Sequence, residues 1–377
     1  MKIMTVVGTR PEIIRLSRVI KLLDQFCDHV LVHTGQNYDY ELNEIFFKDL
    51  GIRKPNYFLG VKSGSLGKMI GKILIASEKV FIKEKPDAVL ILGDTNSSLS
   101  GIVAKRLKIP IYHMEAGNRC FDLNVPEEIN RKIIDHISDF NLVYTEHARM
   151  NLLREGIHPR KIYLAGSPMK EVLLHYRDKI DRSKILIKLS LKKHKYFLAS
   201  IHREENVDNR ENLLRIMEAL NKISEDYHFP VIVSTHPRTQ NRLQKMKNVK
   251  INTIIRFLKP FGFFDYIHLQ TNAFCTLSDS GTISEESAIL GFPAITLRNA
   301  MERPEAIDSG NILITGLDSD TIINSIKIAT AYRRDLQYYK IPDGYTVKNT
   351  SQRVVRLIIG TSKLIHKWDG IIKNDLA

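Results

Sequence analysis

The chain has 377 residues, 43% of them hydrophobic and 26% charged, a balance that suits a folded globular protein of two cores rather than one. Its formal net charge is +14, yet Lys and Arg are spread over the whole length without a basic run or interleaved aromatics; this argues against nucleic acid and for anionic metabolites. No apolar run reaches the roughly 18 to 20 residues of a membrane span, and Cys27, Cys120 and Cys275 lack the spacing of a zinc site or a disulfide framework, so a cytoplasmic, non-membrane protein with reduced thiols is expected.

From residue 2 onward, short Val/Ile/Leu-rich runs alternate with amphipathic segments of helix length, the pattern of a doubly wound parallel α/β sheet. The first strand, 2–7, empties into Gly8-Thr9-Arg10-Pro11-Glu12, a glycine at the turn and a proline at a helix start. Backbone N–H groups and Arg10 could meet a phosphate there, or Arg10 could simply be a solvated surface residue. The sequence carries no Gly-x-Gly-x-x-Gly, so no nicotinamide cofactor is expected.

Further strands are predicted at 29–34, 87–92, 109–115, 140–144 and 161–165. Asp94 follows the strand at 87–92 and could be a catalytic carboxylate or a helix cap. Residues 113–131 form the most informative stretch, because a strand buried on both faces runs into a loop crowded with carboxylates and arginines. Strand ends of this kind are where open α/β sheets place their chemistry. Glu115 lies at that end, and Glu127 opens the next helix, where it could act on a substrate or pair with Arg131 four residues on.

A polar, Lys-rich stretch at 178–194 interrupts the rhythm and is read as a linker between domains at 1–177 and 195–346. Strands are then predicted at Tyr196–Ile201, Pro230–Thr235, Phe274–Ser278 and Pro293–Leu297. His202 and His236 stand at the ends of the first two, placed to contact a diphosphate or to donate protons. No histidine pair has metal-ligand spacing, so no metal is expected. Ser280, Gly281 and Thr282 follow a strand and open a helix, so their N–H groups could turn toward an anion, while Glu286 could bind ribose hydroxyls. Thr282-x-x-Glu285 also matches a capping box, which would make Glu285 a local cap. Residues 347–377 are expected to form helices crossing back to the first domain.

Seven ordered motifs make the chain resemble the nonhydrolysing UDP-N-acetylglucosamine 2-epimerase family over nearly its full length. They are Gly8-Thr9-Arg10-Pro11-Glu12, Gly93-Asp94-Thr95, Glu115-Ala116-Gly117, Pro126-Glu127-Glu128-Ile129-Asn130-Arg131, His202-Arg203, Asp279-Ser280-Gly281 and Glu302-Arg303-Pro304-Glu305. The resemblance implies two Rossmann-like domains in the glycosyltransferase-B arrangement, an active site in the interdomain cleft, a homodimer and no cofactor. By position it assigns Arg10, Ser280, Gly281, Thr282 and Glu286 to UDP, His202 to the diphosphate region, and Asp94, Glu115 and Glu127 to acid/base chemistry supported by Arg131. Arg15 stands where a lysine is frequent, Asn118-Arg119-Cys120 replaces Leu-Arg-Thr/Ser, and Glu204 replaces a common arginine. Gly35-Gln36-Asn37-Tyr38-Asp39 lacks the basic character associated with activation by a second UDP-sugar. These variants, above all 117–122 and 201–206, are similar to the branch that makes UDP-N-acetyl-L-fucosamine from its L-talose-configured 2-epimer. A UDP-N-acetylglucosamine 2-epimerase is the alternative within the family, and a glycosyltransferase of the same fold, which would need an acceptor site, the alternative outside it.

Overall fold

The computed structural model describes residues 1–35, 46–246, 250–331 and 340–371; residues 36–39 of the segment expected to lack the activation character and the last part of the expected C-terminal helices lie outside them. The chain divides into two compact units, Met1–Leu174 with Asp343–Ala377, and His175–Pro342.

In the first unit, seven strands pair in parallel: β1 (Lys2–Val7), β2 (Asp28–His33), β3 (Tyr57–Phe58), β4 (Ala88–Leu92), β5 (Ile111–Met114), β6 (Phe140–Val143) and β7 (Ile162–Leu164), in the order β3-β2-β1-β4-β5-β6-β7. Every residue of β4, β5 and β6 is buried, as the unbroken apolar runs demand when helices cover both faces of a sheet. Helix Arg10–Phe26 starts with a proline in its first turn and buries Ile13, Leu16, Ile20 and Leu23, spaced to form one stripe. Helix Thr350–Thr361 packs against it, and the Ser167 N–H donates to the Gly344 carbonyl at 2.8 Å, so residues after 342 complete this unit.

The second unit holds β8 (Phe197–Ile201), β9 (Val231–Thr235), β10 (Ile255–Leu258), β11 (Cys275–Ser278), β12 (Ala294–Thr296) and β13 (Leu313–Ile314), parallel and ordered β10-β9-β8-β11-β12-β13. Helix Arg210–Tyr227 is capped by the Asn209 side chain and buries Leu213, Ile216, Met217, Leu220 and Ile223 in the main core of this unit. The 178–194 stretch corrects the linker expectation. It forms short helices at Arg177–Asp181 and Ile185–Lys188, and Ile185 and Leu186 join a core with Tyr196, Leu198, Ile232 and Leu269. Ile180 is buried as well and Leu189 and Leu191 pack against that core, so a few apolar residues anchor a lysine-rich segment whose charged heads can stay in water.

Both sheets reverse their strand order once, between β1 and β4 and between β8 and β11. Turns following strands on either side of such a reversal diverge and leave a crevice, the usual ligand site of doubly wound sheets. The motif-bearing turns 8–12, 93–96, 202–206 and 279–282 are the ones at these two places. Among the described residues, no helix is long and apolar enough to cross a membrane.

Candidate active site

At the reversal in the first sheet, Glu12 joins the turns after β1 and β4. The Gly8 N–H donates to its Oε2 at 2.6 Å, and the hydroxyls of Thr9 and Thr95 donate to its Oε1 at 2.9 and 2.8 Å. Burial pushes this carboxyl up to about 7 against the lowering effect of those three hydrogen bonds, and the nearby charge of Asp94 adds to the rise. Thr95, one residue after Asp94, supplies the side-chain cap of the 3-10 turn Asn96–Leu99, accepting from the Ser97 N–H, so the capping duty falls to Thr95 and not to Asp94.

Asp94 instead faces helix Pro126–Ile137. Its Oδ2 accepts from Arg131 Nε at 2.6 Å and its backbone carbonyl from Asn130 Nδ2 at 2.9 Å. Arg131 also reaches Glu128 Oε2 at 2.8 Å. Glu128 in turn accepts the Cys120 and Phe121 N–H groups at 3.1 and 3.3 Å, bonds that shape the 118–122 loop, and its bonds to Cys120 and the Arg131 guanidinium hold its carboxyl below the usual range despite burial. Glu127 lies half-buried in the first turn of the same helix.

Glu115 follows β5 with φ +67°, a conformation that side chains other than glycine rarely adopt. Arg15, which is buried, brings its guanidinium to 3.1 Å from Glu115 Oε2 and lies over the Tyr144 ring at 5.8 Å. Asp94 and Glu115 thus stand at the ends of adjacent strands, each facing its own arginine. Arg10, at the start of the first helix, sits over the Phe46 ring at 5.2 Å, a stacking contact that a purely solvated arginine would not make.

In the second unit, fully buried Asp279 organises the reversal. Its carboxylate accepts the N–H groups of His202 and Arg203 and the Asn206 side chain at 3.0 to 3.2 Å, and the half-exposed His202 ring places Nδ1 3.2 Å from Oδ1. The turn after β11 differs from the open nest expected of it. The Ser280 N–H donates to Ser278 Oγ at 3.0 Å and the Thr282 N–H to Ser280 Oγ at 3.3 Å, so nearby hydroxyls occupy two of the three amides. The capping box does not form: Thr282 makes no side-chain cap, and Glu285 binds Arg303 Nη1 at 2.7 Å. A buried arginine offers that carboxylate a charged partner that the terminal amide could not match. Glu286 is buried and accepts from Gln270 Nε2 at 2.7 Å. His236 caps helix Pro237–Lys245, its Nδ1 accepting the Arg238 N–H at 3.3 Å.

Beneath Gly281, Glu302 is held by Arg203 at 3.0 Å and by Arg298 at 2.6 Å, and burial draws the Arg298 guanidinium below its ordinary value. A Cβ on Gly281 would meet Glu302 Oε1 at 2.7 Å. Because two arginines pin that carboxylate, Gly281→Ala is expected to lower stability by about 1–3 kcal/mol, read as a fall in the thermal midpoint.

Residue patterns alone did not single out Glu12 as a bridge, nor Glu128, His113, Asp135, Asp279, Glu302 or Arg303 as its counterparts. Glu128 and Asp135 stand three residues before and four after Arg131 on one helix face, a spacing that could have flagged them. The others each have a partner 18 to 99 residues away in sequence, although Glu12 and Glu302 also have local ones.

The UDP-N-acetylglucosamine 2-epimerase family model matches residues 22–359. The chain is similar to a UDP-N-acetylglucosamine 2-epimerase of Rickettsia bellii, with 47% identity, a TM-score of 0.90 and coverage of 97% of this chain and 98% of that one. It is also similar to the Methanocaldococcus jannaschii UDP-GlcNAc 2-epimerase solved with UDP-GlcNAc and UDP, at 39% identity, a TM-score of 0.88 and coverage of 96% and 100%. A UDP-2,3-diacetamido-2,3-dideoxy-D-glucuronate 2-epimerase of Pseudomonas aeruginosa is 37% identical over 332 residues, 87% of this chain and 92% of that protein. The chain belongs to the UDP-N-acetylglucosamine 2-epimerase family and is, by that membership, an isomerase acting on UDP-sugars.

Proposed function

We propose that the protein inverts C2 of a UDP-2-acetamido sugar by elimination and re-addition of UDP, with UDP-2-acetamido-2,6-dideoxy-L-talose as substrate and UDP-N-acetyl-L-fucosamine as product. The observation that carries the reaction is the pair of carboxylates at adjacent strand ends, Asp94 facing Arg131 and Glu115 facing Arg15.

The C2 proton of such a sugar has no neighbouring carbonyl to stabilise a carbanion, so loss of UDP from C1 must accompany its removal. One carboxylate takes the proton, the C1–O bond breaks with its electron pair leaving on UDP, and a C1=C2 bond forms. A protonated group then delivers hydrogen to the opposite face of C2 while a UDP oxygen re-forms the bond to C1. Asp94, Glu115 and Glu127 are the candidates for the two proton transfers, with Arg131 and Arg15 setting their orientation and charge. UDP binding falls to Arg10, Ser280, Gly281, Thr282 and Glu286, with His202 and His236 at the diphosphate, where leaving charge develops. An incoming phosphate oxygen would replace the hydroxyls that now accept the Ser280 and Thr282 amides, and it is the stronger acceptor.

The sugar assignment rests on Gly117–Asp122 and Ile201–Asn206. Cys120 lies against Glu128 and Arg131, at 3.3 and 3.6 Å, and Arg131 also bonds Asp94, which supports a role for that variant position. Glu204 points outward to Arg238 at 2.5 Å. The relatives' names favour a second reading, exchange of UDP-N-acetylglucosamine with UDP-N-acetylmannosamine. Incubation with each UDP-sugar in D2O, followed by proton NMR, separates the two. Deuterium at C2 with inversion of the 6-deoxy-L-sugar alone is the expected result, and exchange confined to UDP-N-acetylglucosamine rejects the L-fucosamine assignment.

A further inference from the structure

We propose that His113 and Asp135 are positioning residues that lock the two catalytic turns, those of Asp94 and Glu115, into one rigid frame. The proposal rests on the epimerase reading and assigns a task within that site.

His113 lies on β5, two residues before Glu115, and is buried. Its Nε2 stands 2.9 Å from the carbonyl oxygen of Gly93, the residue before Asp94. Its Nδ1 stands 2.9 Å from Asp135 Oδ1. The Gly93 carbonyl can only accept, so Nε2 carries a hydrogen toward it. The other Asp135 oxygen accepts the Gly117 N–H at 3.2 Å and Arg119 Nη1 at 2.7 Å. Burial alone would raise this carboxyl, but the hydrogen bond and charge of His113, with the Arg119 guanidinium, hold it below the usual carboxylate range. Arg119 is held in turn by both oxygens of Glu155, at 2.8 and 2.6 Å.

The connections therefore run from the peptide before Asp94, through one imidazole and one carboxylate, to the peptide two residues after Glu115. Each end is a turn that needs unusual backbone: Gly93 has φ +73°, Glu115 φ +67° and Gly117 φ +81°. Turns of this kind persist when surrounding bonds over-determine them. The Gly93 N–H also donates to the Met114 carbonyl at 3.0 Å, so His113 closes a second link across the same pair of strands. Helix Pro126–Ile137 carries Asp135 together with Asn130 and Arg131, which grip Asp94 from the other side. His113 and Asp135 themselves are shielded from solvent, so they act through the carboxylates they position.

Two substitutions at residue 113 test this, because they keep different halves of the ring's bonding. His113→Gln extends an amide donor to the place of Nε2, whereas His113→Asn reaches only the place of Nδ1 and abandons Gly93. In the full chain, His113→Asn is expected to lower kcat for C2 epimerisation about 10- to 100-fold, the scale of a small misplacement of reacting groups, with KM unchanged. His113→Gln is expected to restore most of that rate. Equal losses in the two variants, no loss in either, or a change in KM that parallels kcat would overturn the proposal. Asp135→Asn supplies a second route if His113→Asn does not fold. The same fall in kcat at constant KM is expected, and wild-type kcat in folded Asp135→Asn protein overturns the proposal. Wild-type protein that exchanges no C2 hydrogen with any UDP-2-acetamido sugar defeats the epimerase reading itself; active wild-type protein with unaffected variants defeats only the positioning roles.

Discussion

Glu115→Gln is expected to lower the rate of C2 epimerisation about 10²- to 10⁴-fold, the usual worth of one general acid or base. The substitution keeps the size of the side chain and removes its ability to take or hold a proton. Asp94→Asn should show a loss of the same order, since two opposed faces of C2 need two proton-transfer groups and neither can replace the other. Affinity for UDP, measured by calorimetry, should stay near wild type for Glu115→Gln, because the residues assigned to UDP are others. The thermal midpoint is the needed control, since Glu115→Gln removes a carboxylate facing buried Arg15 and Asp94→Asn removes a carboxylate bonded to Arg131. Near-wild-type turnover in a folded Glu115→Gln protein would remove Glu115 from the chemistry.

The second large effect concerns stability and pH. The Glu12 carboxyl is raised by burial from its ordinary 4.5 to about 7 in the folded protein. A raised carboxyl keeps its proton in the folded state after the unfolded chain has lost it, so its contribution to stability is complete below about 4.5 and is lost as pH climbs to about 7. At 1.36 kcal/mol per pKa unit, the loss across that window is up to about 3 kcal/mol. Glu12→Gln mimics the protonated acid: its carbonyl can accept the Gly8 N–H while its amide donates to the hydroxyls of Thr9 and Thr95, both of which can accept. Denaturant unfolding from pH 4.5 to 8 should therefore show Glu12→Gln gaining on wild type by up to that amount as pH rises. A stability difference that stays flat across the range would show that Glu12 is ionised throughout, with its three donors outweighing burial.

Of the thirteen strands among the described residues, ten were legible as apolar runs, and the three that were not, β3, β10 and β13, are all edge strands. An edge strand has one paired neighbour and an open edge on its other side, so it needs no long apolar run; β3 and β13 are two residues each, and β10 contains Arg256. The lysine-rich 178–194 stretch misled for the opposite reason, because charge counts hide the few apolar anchors that decide where such a segment packs.

Residue order alone determined the doubly wound α/β class and the strand-end placement of Asp94, Glu115, His202 and Ser280, because both follow from local periodicity and from where an apolar run stops. Only the tertiary structure decided the partners: Arg131 with Asp94 across 37 residues, Glu12 with Thr95 across 83, Arg203 with Glu302 across 99. The physical reason is that a buried charge must find a partner or pay for desolvation, and parallel strands bring that partner from a distant part of the chain. Periodicity reports which face of an element is buried and carries no record of which strand lies beside it.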